Sequence, residues 1–117
     1  MMNNKTYNDG IINVYQEKDN LTTTNFNEKK NVKTLDDMDF IISLAFKEMS
    51  KRQQDFEFAN SLGHSLSMKV KTRLVDDVKN SHKVIYAGSI YDIVYLDADR
   101  TNKELYIYME EVRPLNA

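Results

Sequence analysis

The chain has 117 residues and a formal net charge of −2, with 16 Lys and Arg against 18 Asp and Glu. That length suits a single domain with its own apolar core. The near-balanced charge disfavours tight, free-standing binding to duplex DNA, which requires an excess of cations. The absence of cysteine excludes a disulfide framework, thiolate catalysis and the zinc sites that are built on Cys.

The N-terminal part predicts one strand followed by a long polar stretch. Gly10 to Gln16 is β-branched and aromatic, with Ile12 and Val14 on one face, as expected of a strand. Residues 17–39 are rich in Asn, Thr, Lys and Asp, which predicts a long loop with Phe26 as a candidate anchor. The apolar runs of the chain are short, so we expect no membrane-spanning segment.

A second strand and a helix are predicted next. Residues 40–46 place four apolar side chains on one face at period two, namely Phe40, Ile42, Leu44 and Phe46. The period then changes to that of a helix over residues 50–63. Ser50 is the expected N-cap and Gly63 the expected stop. The thin apolar face of this helix would comprise Phe56, Ala59 and Leu62.

Apolar and polar residues alternate clearly in the C-terminal half. His64 to Arg73 predicts a half-buried strand whose inward side chains are Leu66, Met68, Val70 and Thr72. Residues 83–96 predict two strands joined by a tight turn at Ala87-Gly88, where Gly88 can adopt the positive φ that the turn needs. A polar turn over residues 97–102 and a closing strand over 103–112 follow, with Pro114 ending the strand.

These elements predict the fold class. Five to six short antiparallel strands, with one short helix inserted between the second and third, favour a mainly β protein. We therefore expect a small, partly open β-barrel that occupies residues 1–117 as one domain.

Catalytic chemistry is not indicated. His64 begins a strand and His82 lies in a polar loop, without a nucleophile signature beside either. The run Asp97 to Asn102 lacks the glycine and the final Glu of a calcium loop, and the three glycines are too far apart to cradle a phosphate. We predict that the protein is not an enzyme and holds no metal or cofactor.

Residues 40–112 resemble the phage head–tail joining proteins, also called head-completion, stopper or head–tail connector proteins. Three parts carry the resemblance: the polar, aromatic-containing segment Ser50 to Leu62, the alternating strand His64 to Arg73, and the hairpin Lys83-Val-Ile-Tyr-Ala-Gly-Ser-Ile-Tyr-Asp-Ile-Val-Tyr-Leu96 centred on Gly88. The order and spacing of the three parts are similar to those of the family.

The resemblance implies a structural virion protein, assembled in the bacterial host cytoplasm. It would form a ring of identical subunits at the portal vertex, close the DNA-filled head and dock the tail. The implied partners are portal or adaptor ring proteins and a tail-completion protein, with DNA as passing cargo and no membrane. The segment implied to gate the channel comprises Ser50, Lys51, Arg52, Gln53, Gln54, Asp55, Phe56, Glu57, Phe58, Ala59, Asn60, Ser61 and Leu62.

A basic stripe on the third predicted strand, Lys69, Lys71 and Arg73, has two interpretations. It is either a solvated sheet face whose cations pair with carboxylates on neighbouring strands, or a surface that faces nucleic acid or an acidic partner. The second interpretation supports an alternative function, a small barrel that binds single-stranded nucleic acid. Its predicted stacking platforms are Tyr91, Tyr95, Tyr106 and Tyr108.

Overall fold

The fold is that of a computed structural model, which describes residues 6–18 and 35–115. Within these ranges the chain forms six strands and one α-helix, and a short 3-10 turn at Leu35–Asp37 leads into the second strand. The elements in chain order are β1 (Gly10–Glu17), β2 (Met38–Glu48), α1 (Gln53–Ser61), β3 (Met68–Arg73), β4 (Lys83–Tyr86), β5 (Ser89–Asp99) and β6 (Glu104–Pro114).

The strands form one antiparallel sheet that closes on itself. Their order is β1-β2-β3-β6-β5-β4, and β4 pairs back to β1. The narrowest junction joins β2 to β3, where Lys47 pairs with Lys71 and Glu48 with Val70. The predicted fold class is confirmed: a small antiparallel barrel with the helix between the second and third strands. The short β2–β3 junction is where this barrel is least complete.

Strict alternation on β1, β3 and β6 builds the core of the barrel. Ile12 and Val14 on β1 are fully buried, as predicted, because successive side chains of a strand point to opposite faces. The inward residues predicted for the third strand are also buried. The barrel core comprises Ile12, Val14, Leu44, Phe46, Met68, Val70, Val78, Val84, Tyr91, Ile93, Leu105, Ile107 and Met109.

The predicted inward face of the second strand, β2, is wrong at its first residue, Phe40. Leu44 and Phe46 are buried, but Phe40 is 55% exposed and packs edge-on against Tyr15 at 5.5 Å. The register explains the difference, since Val14 pairs with Ile42 whereas Tyr15 pairs with Phe40. The extra residue is a β-bulge, which shifts the side chains before it to the other face of the strand.

The predicted tight turn is confirmed. Tyr86 pairs with Ser89, so the β4–β5 loop has two residues, and both have positive φ: 52° at Ala87 and 79° at Gly88. This is the backbone of a type I′ turn, whose twist matches that of the flanking strands. The Gly88 carbonyl also accepts a hydrogen bond of 2.8 Å from the Leu115 N–H, which holds the end of the chain beside the turn.

The two predicted polar connections differ in outcome. Of the loop predicted over residues 17–39, residues 19–34, including Phe26, lie outside the described residues, and β2 already begins at Met38. The later turn is shorter than predicted because β5 continues to Asp99. There the Asp99 carboxylate accepts hydrogen bonds of 3.1 and 2.8 Å from the Asn102 backbone and side-chain nitrogens. In the described ranges, no helix combines the length and apolar character needed to cross a bilayer.

Candidate functional site

Helix α1 lies within the candidate gating segment. It starts two residues later than a helix capped by Ser50 would start, so the prediction of Ser50 as N-cap is wrong. The N-cap is Arg52, whose backbone N–H donates to Asp55 Oδ2 at 2.9 Å. The Asp55 N–H donates back to the Arg52 carbonyl at 2.9 Å. A carboxylate in the first turn can therefore replace the usual Ser or Thr cap. It accepts a hydrogen bond from one of the free N–H groups, and its negative charge is stabilised by the positive N-terminal end of the helix dipole.

The predicted stop at Gly63 is confirmed. Gly63 has a φ of 82°, and its N–H donates to the Asn60 carbonyl while the His64 N–H donates to the Ala59 carbonyl, both at 3.0 Å. These two bonds form a Schellman motif, which provides donors for the last carbonyls of a helix and requires a residue in the left-handed conformation. The chain thus leaves α1 sharply and enters β3.

The buried face of α1 differs from the predicted one. Ala59 is fully buried, as predicted, and packs with Leu66 and Val94 against the outside of the barrel wall. Phe56 and Leu62 are exposed, at 36% and 46%, and the other buried residue of the helix is Asp55. The face is therefore small and partly ionic, which simple apolar periodicity does not reveal.

Asp55 fastens the helix to β3. Its Oδ2 lies 3.2 Å from Lys69 Nζ, and the side chains of the two residues are 10% and 14% exposed. Lys69 Nζ also lies 5.1 Å from the centre of the Tyr108 ring, in a cation–π position. Burial raises the pKa of Asp55, but the hydrogen bonds from the Arg52 N–H and the Lys69 ammonium outweigh it and lower that pKa.

An aromatic cluster holds the other side of α1. Phe58 packs edge-on against Tyr95 on β5, with 4.9 Å between ring centroids, and against Tyr108 on β6 at 6.4 Å. Tyr95 and Tyr108 also pack on each other at 5.9 Å, since they are paired across β5 and β6. We call Phe58, Tyr95 and Tyr108 the aromatic cluster. It joins the candidate gating segment to the outer wall of the barrel.

The other two residues of the basic stripe, Lys71 and Arg73, differ in their surroundings. Lys71 Nζ lies 3.6 Å from Glu104 Oε2, while Arg73 is exposed. Glu104 is 6% exposed and accepts a 2.8 Å hydrogen bond from the Tyr7 hydroxyl. Burial and the nearby Glu104 carboxylate raise the pKa of Tyr7 to about 12. Two of the three stripe cations thus pair with buried carboxylates of the same chain. Lys71 pairs with a neighbouring strand, as the sheet-face interpretation expects, whereas Lys69 pairs with helix α1.

The two histidines make structural contacts. His64 Nδ1 lies 2.7 Å from Glu110 Oε1 across β6. His82 is buried, and its Nδ1 accepts a 3.1 Å hydrogen bond from the Lys79 N–H, so the ring shapes the loop before β4. Burial, with the Lys79 charge second, lowers the pKa of His82. Nowhere in the described part of the chain do three or more His, Asp or Glu side chains gather closely enough to hold a metal ion.

The tyrosines do not form the single outer platform that the alternative function needs. Tyr91 is 9% exposed and belongs to the barrel core, which corrects its predicted outward position. The physical reason is the register shift between Ile93 and Tyr95, where Val94 is the extra residue of β5. Tyr91 shares the inward face with Ile93, whereas Tyr95, beyond the bulge, points outward. Tyr106 is half-buried on β6, and Tyr108 is partly covered by Phe58 and Lys69.

The site therefore consists of α1 fastened to the outside of β3, β6 and β5. The link between Asp55 and Lys69 was not predicted from the sequence, since 14 residues separate them and neither residue type alone marks a contact. Comparison with known proteins adds no relative: no protein-family model matches the chain, and no curated protein matches it significantly.

Proposed function

We propose that this chain is a structural virion protein of a tailed phage or prophage. It forms a ring at the portal vertex that closes the DNA-filled head and docks the tail. The observation that carries the proposal is the element order: a small antiparallel barrel whose helix lies between β2 and β3. That arrangement is what the resemblance to head–tail joining proteins implies.

The way α1 is attached supports a segment that changes position on assembly. Its contacts run through Asp55, Phe58 and Ala59 to the outer wall, whereas the barrel core is a separate cluster inside the sheet. Detaching the helix would expose a few side chains and leave the strand pairings intact. Regions held by few buried apolar contacts open at the lowest free energy in a protein.

The charges of the segment suit a channel through which DNA passes. Lys51, Arg52, Asp55 and Glu57 balance one another, so the segment would not bind phosphates strongly. On this proposal the partners are portal or adaptor ring proteins and a tail-completion protein, and the assembly forms in the host cytoplasm before it becomes part of the virion.

Deleting the gene from its phage or prophage tests the proposal. Negative-stain images of the lysate should show heads that have lost DNA or lack tails, together with free tails. A plasmid copy of the wild-type gene should restore infectious particles, and so should one encoding Asp77→Asn, an exposed position outside the gating segment, as a surface control. Normal yields of tailed, infectious particles without the gene would overturn the proposal.

The alternative, a module that binds single-stranded nucleic acid, draws less support from the geometry. Lys69 and Lys71 already pair with carboxylates, and Tyr91 is in the core. Fluorescence anisotropy with a labelled single-stranded oligonucleotide at low salt separates the two functions. We expect no saturable binding. Binding that weakens steeply with salt and is lost in Tyr95→Ala would favour the alternative.

A further inference from the structure

The junction between β2 and β3 is short, and we call it the seam. Between described residues it consists of residues 47–48 paired with residues 70–71, next to a hydrogen bond of 2.8 Å from the Met49 N–H to the Lys69 carbonyl. The pairings on either side of it, β1 with β2 and β3 with β6, run over most of the strands. Because few backbone hydrogen bonds hold the seam, we expect it to separate at a lower free energy than these long pairings.

The residues that precede β1 reach across the seam. Asp9 makes two hydrogen bonds, of 2.9 and 2.7 Å, with backbone groups near the end of β2. Two residues earlier, the Tyr7 hydroxyl donates to Glu104 Oε2 on β6 at 2.8 Å. Since β3 lies between β2 and β6 in the sheet, these contacts tie one side of the seam to the other. We call residues 6–9 the strap.

The strap ends on a buried carboxylate. Leu105 and Ile107 point into the core, so Glu104 points to the outer face of β6. Glu104 is nevertheless only 6% exposed, with the Tyr7 hydroxyl at 2.8 Å and the Lys71 ammonium at 3.6 Å from its Oε2 atom. A hydrogen bond to a charged acceptor is stronger than one between neutral groups. The bond between Tyr7 and Glu104 therefore contributes most of what holds the strap to β6.

The strap has little chain to spare. The two residues that anchor it, Tyr7 and Asp9, are two positions apart, so their Cα atoms are separated by at most about 7 Å. Asp9 moves with β2, because β1 follows directly and pairs along that strand. Glu104 moves with β3, because β6 pairs with β3 over the whole of β3. A wide separation of β2 from β3 therefore requires Tyr7 to leave Glu104.

The link from β2 to α1, residues 49–52, is fastened at the seam. Its first N–H donates to the Lys69 carbonyl at 2.8 Å, and Lys51 Nζ donates to the Ser67 carbonyl at 3.1 Å. The ammonium of the same Lys69 holds Asp55 of α1 at 3.2 Å. While the seam is closed, a helix that leaves the outer wall therefore stays tethered to β3 at both of its ends. Opening the seam frees the first of these tethers.

We propose that residues 6–9 are a strap that holds the seam closed, and that release of Tyr7 from Glu104 frees the link 49–52 from β3. With the strap bound, α1 can move only near the outer wall. With the strap released, α1 can travel together with the end of β2. This inference deepens the proposed function and rests on it for what the moving helix does in the ring, while the strap itself is tested on the purified chain.

Buried cysteine probes measure the opening of the seam, because the chain has no cysteine of its own. Val70→Cys places a thiol at the seam, and Val84→Cys places one on β4, which pairs with β1 and β5 on the far side of the barrel. Both native side chains are fully buried. The rate of reaction with the thiol reagent DTNB, measured at rising urea concentrations, reports the opening around each probe. Val70→Cys should react faster than Val84→Cys and depend less steeply on urea, because the seam opens without unfolding the barrel.

Tyr7→Phe removes the hydroxyl of the strap and keeps the ring. In that background Val70→Cys should react about ten-fold faster without urea, because the closed state loses a hydrogen bond to a charged group. Tyr15→Phe is the matched control, since the Tyr15 ring packs on Phe40 away from the seam, and it should change the rate by less than about two-fold. In the cysteine-free chain, the Met49 N–H should exchange with deuterium faster in Tyr7→Phe, which tests the strap without a substitution in the core.

Three results would each overturn the proposal. Equal reactivity of the two probes, with an equally steep dependence on urea, would show that the seam opens only when the whole barrel unfolds. An unchanged rate of Val70→Cys in the Tyr7→Phe background would show that the seam opens with the strap in place. Unchanged exchange of the Met49 N–H in Tyr7→Phe would show that the link stays on β3 whether or not the strap is bound.

Deletion of the gene separates a failure of the strap from a failure of the proposed function. Any of these three results, together with heads that lose DNA or lack tails in the deletion, would refute the strap and leave the proposed function standing. The expected response of the probes without a deletion phenotype would establish the strap in a protein that acts outside the phage neck.

Discussion

The carboxylate of Asp55 on α1 lies 3.2 Å from the ammonium of Lys69 on β3, and little of either side chain reaches solvent. The same carboxylate caps the helix through the Arg52 N–H. One side chain therefore both starts α1 and fastens it to the barrel.

Asp55→Ala should destabilise the protein by about 3 kcal/mol, because it leaves the Lys69 charge buried without its partner and removes the cap. Urea unfolding followed by circular dichroism measures the change. Glu57→Gln, on the exposed side of the same helix, is the matched control and should change stability by less than about 0.5 kcal/mol. Equal effects of the two substitutions would contradict the assigned role.

Phe58 and Phe56 provide a second matched pair, since they are similarly exposed, at 38% and 36%. Phe58→Ala should cost about 1–2 kcal/mol, because it removes the edge-on contacts with Tyr95 and Tyr108. Phe56→Ala should cost clearly less, as no ring contact of Phe56 is found among residues 6–18 and 35–115. Hydrogen exchange of the α1 amides, measured beside thermal unfolding, should speed up in Phe58→Ala alone. Similar exchange in both variants would be the opposing result.

The hairpin turn should respond in opposite directions to two substitutions. Gly88→Ala should destabilise by about 1 kcal/mol because its φ of 79° is unfavourable for an L-residue. An added Cβ there meets nothing within 4 Å, so the effect isolates the backbone. Ala87→Asn should stabilise by about 0.5 kcal/mol, since Asn tolerates the left-handed conformation. Calorimetry should show the midpoint falling in the first variant and rising in the second; a shift of the same sign would refute the turn type.

Stability should fall as the solution is acidified below about pH 6.5, the ordinary pKa of a histidine. The folded state lowers the pKa of His82, so the unfolded chain binds the proton more readily in this range. The contribution is therefore present above pH 6.5 and lost as the pH falls. Urea midpoints at pH 7.5, 6.5 and 5.5 should decline less in His82→Asn, whose side-chain oxygen can still accept from the Lys79 N–H. An unchanged slope in that variant would assign the decline to other groups.

The strands show where sequence patterns succeed and where they fail. The strands β1 and β3 follow strict alternation, and their buried residues were predicted correctly. Phe40 and Tyr91 were placed on the wrong face because a register shift separates each from the residues that share its predicted face, at Val14/Tyr15 for Phe40 and at Ile93/Tyr95 for Tyr91. A bulge inserts one residue into the ladder without any mark in the local pattern, so every side chain beyond it changes face.

The sequence predicted where the helix of the candidate site lies, but not the contacts that attach it to the barrel. The helix and its Gly63 stop follow from local chemistry, because capping residues act within one turn. Asp55 reads in the sequence as one more polar residue of a solvated helix. Its contact with Lys69 depends on how α1 folds back over β3, which no local pattern encodes.

The sequence by itself determined the fold class, the order of the elements and the position of the helix, since each rests on short-range periodicity and turn chemistry. The tertiary structure alone decided which cations pair with buried carboxylates and which tyrosines reach the surface. These properties depend on register and closure between strands far apart in the chain. Such pairings are set by the packing of the whole barrel, so a one-dimensional pattern does not contain them.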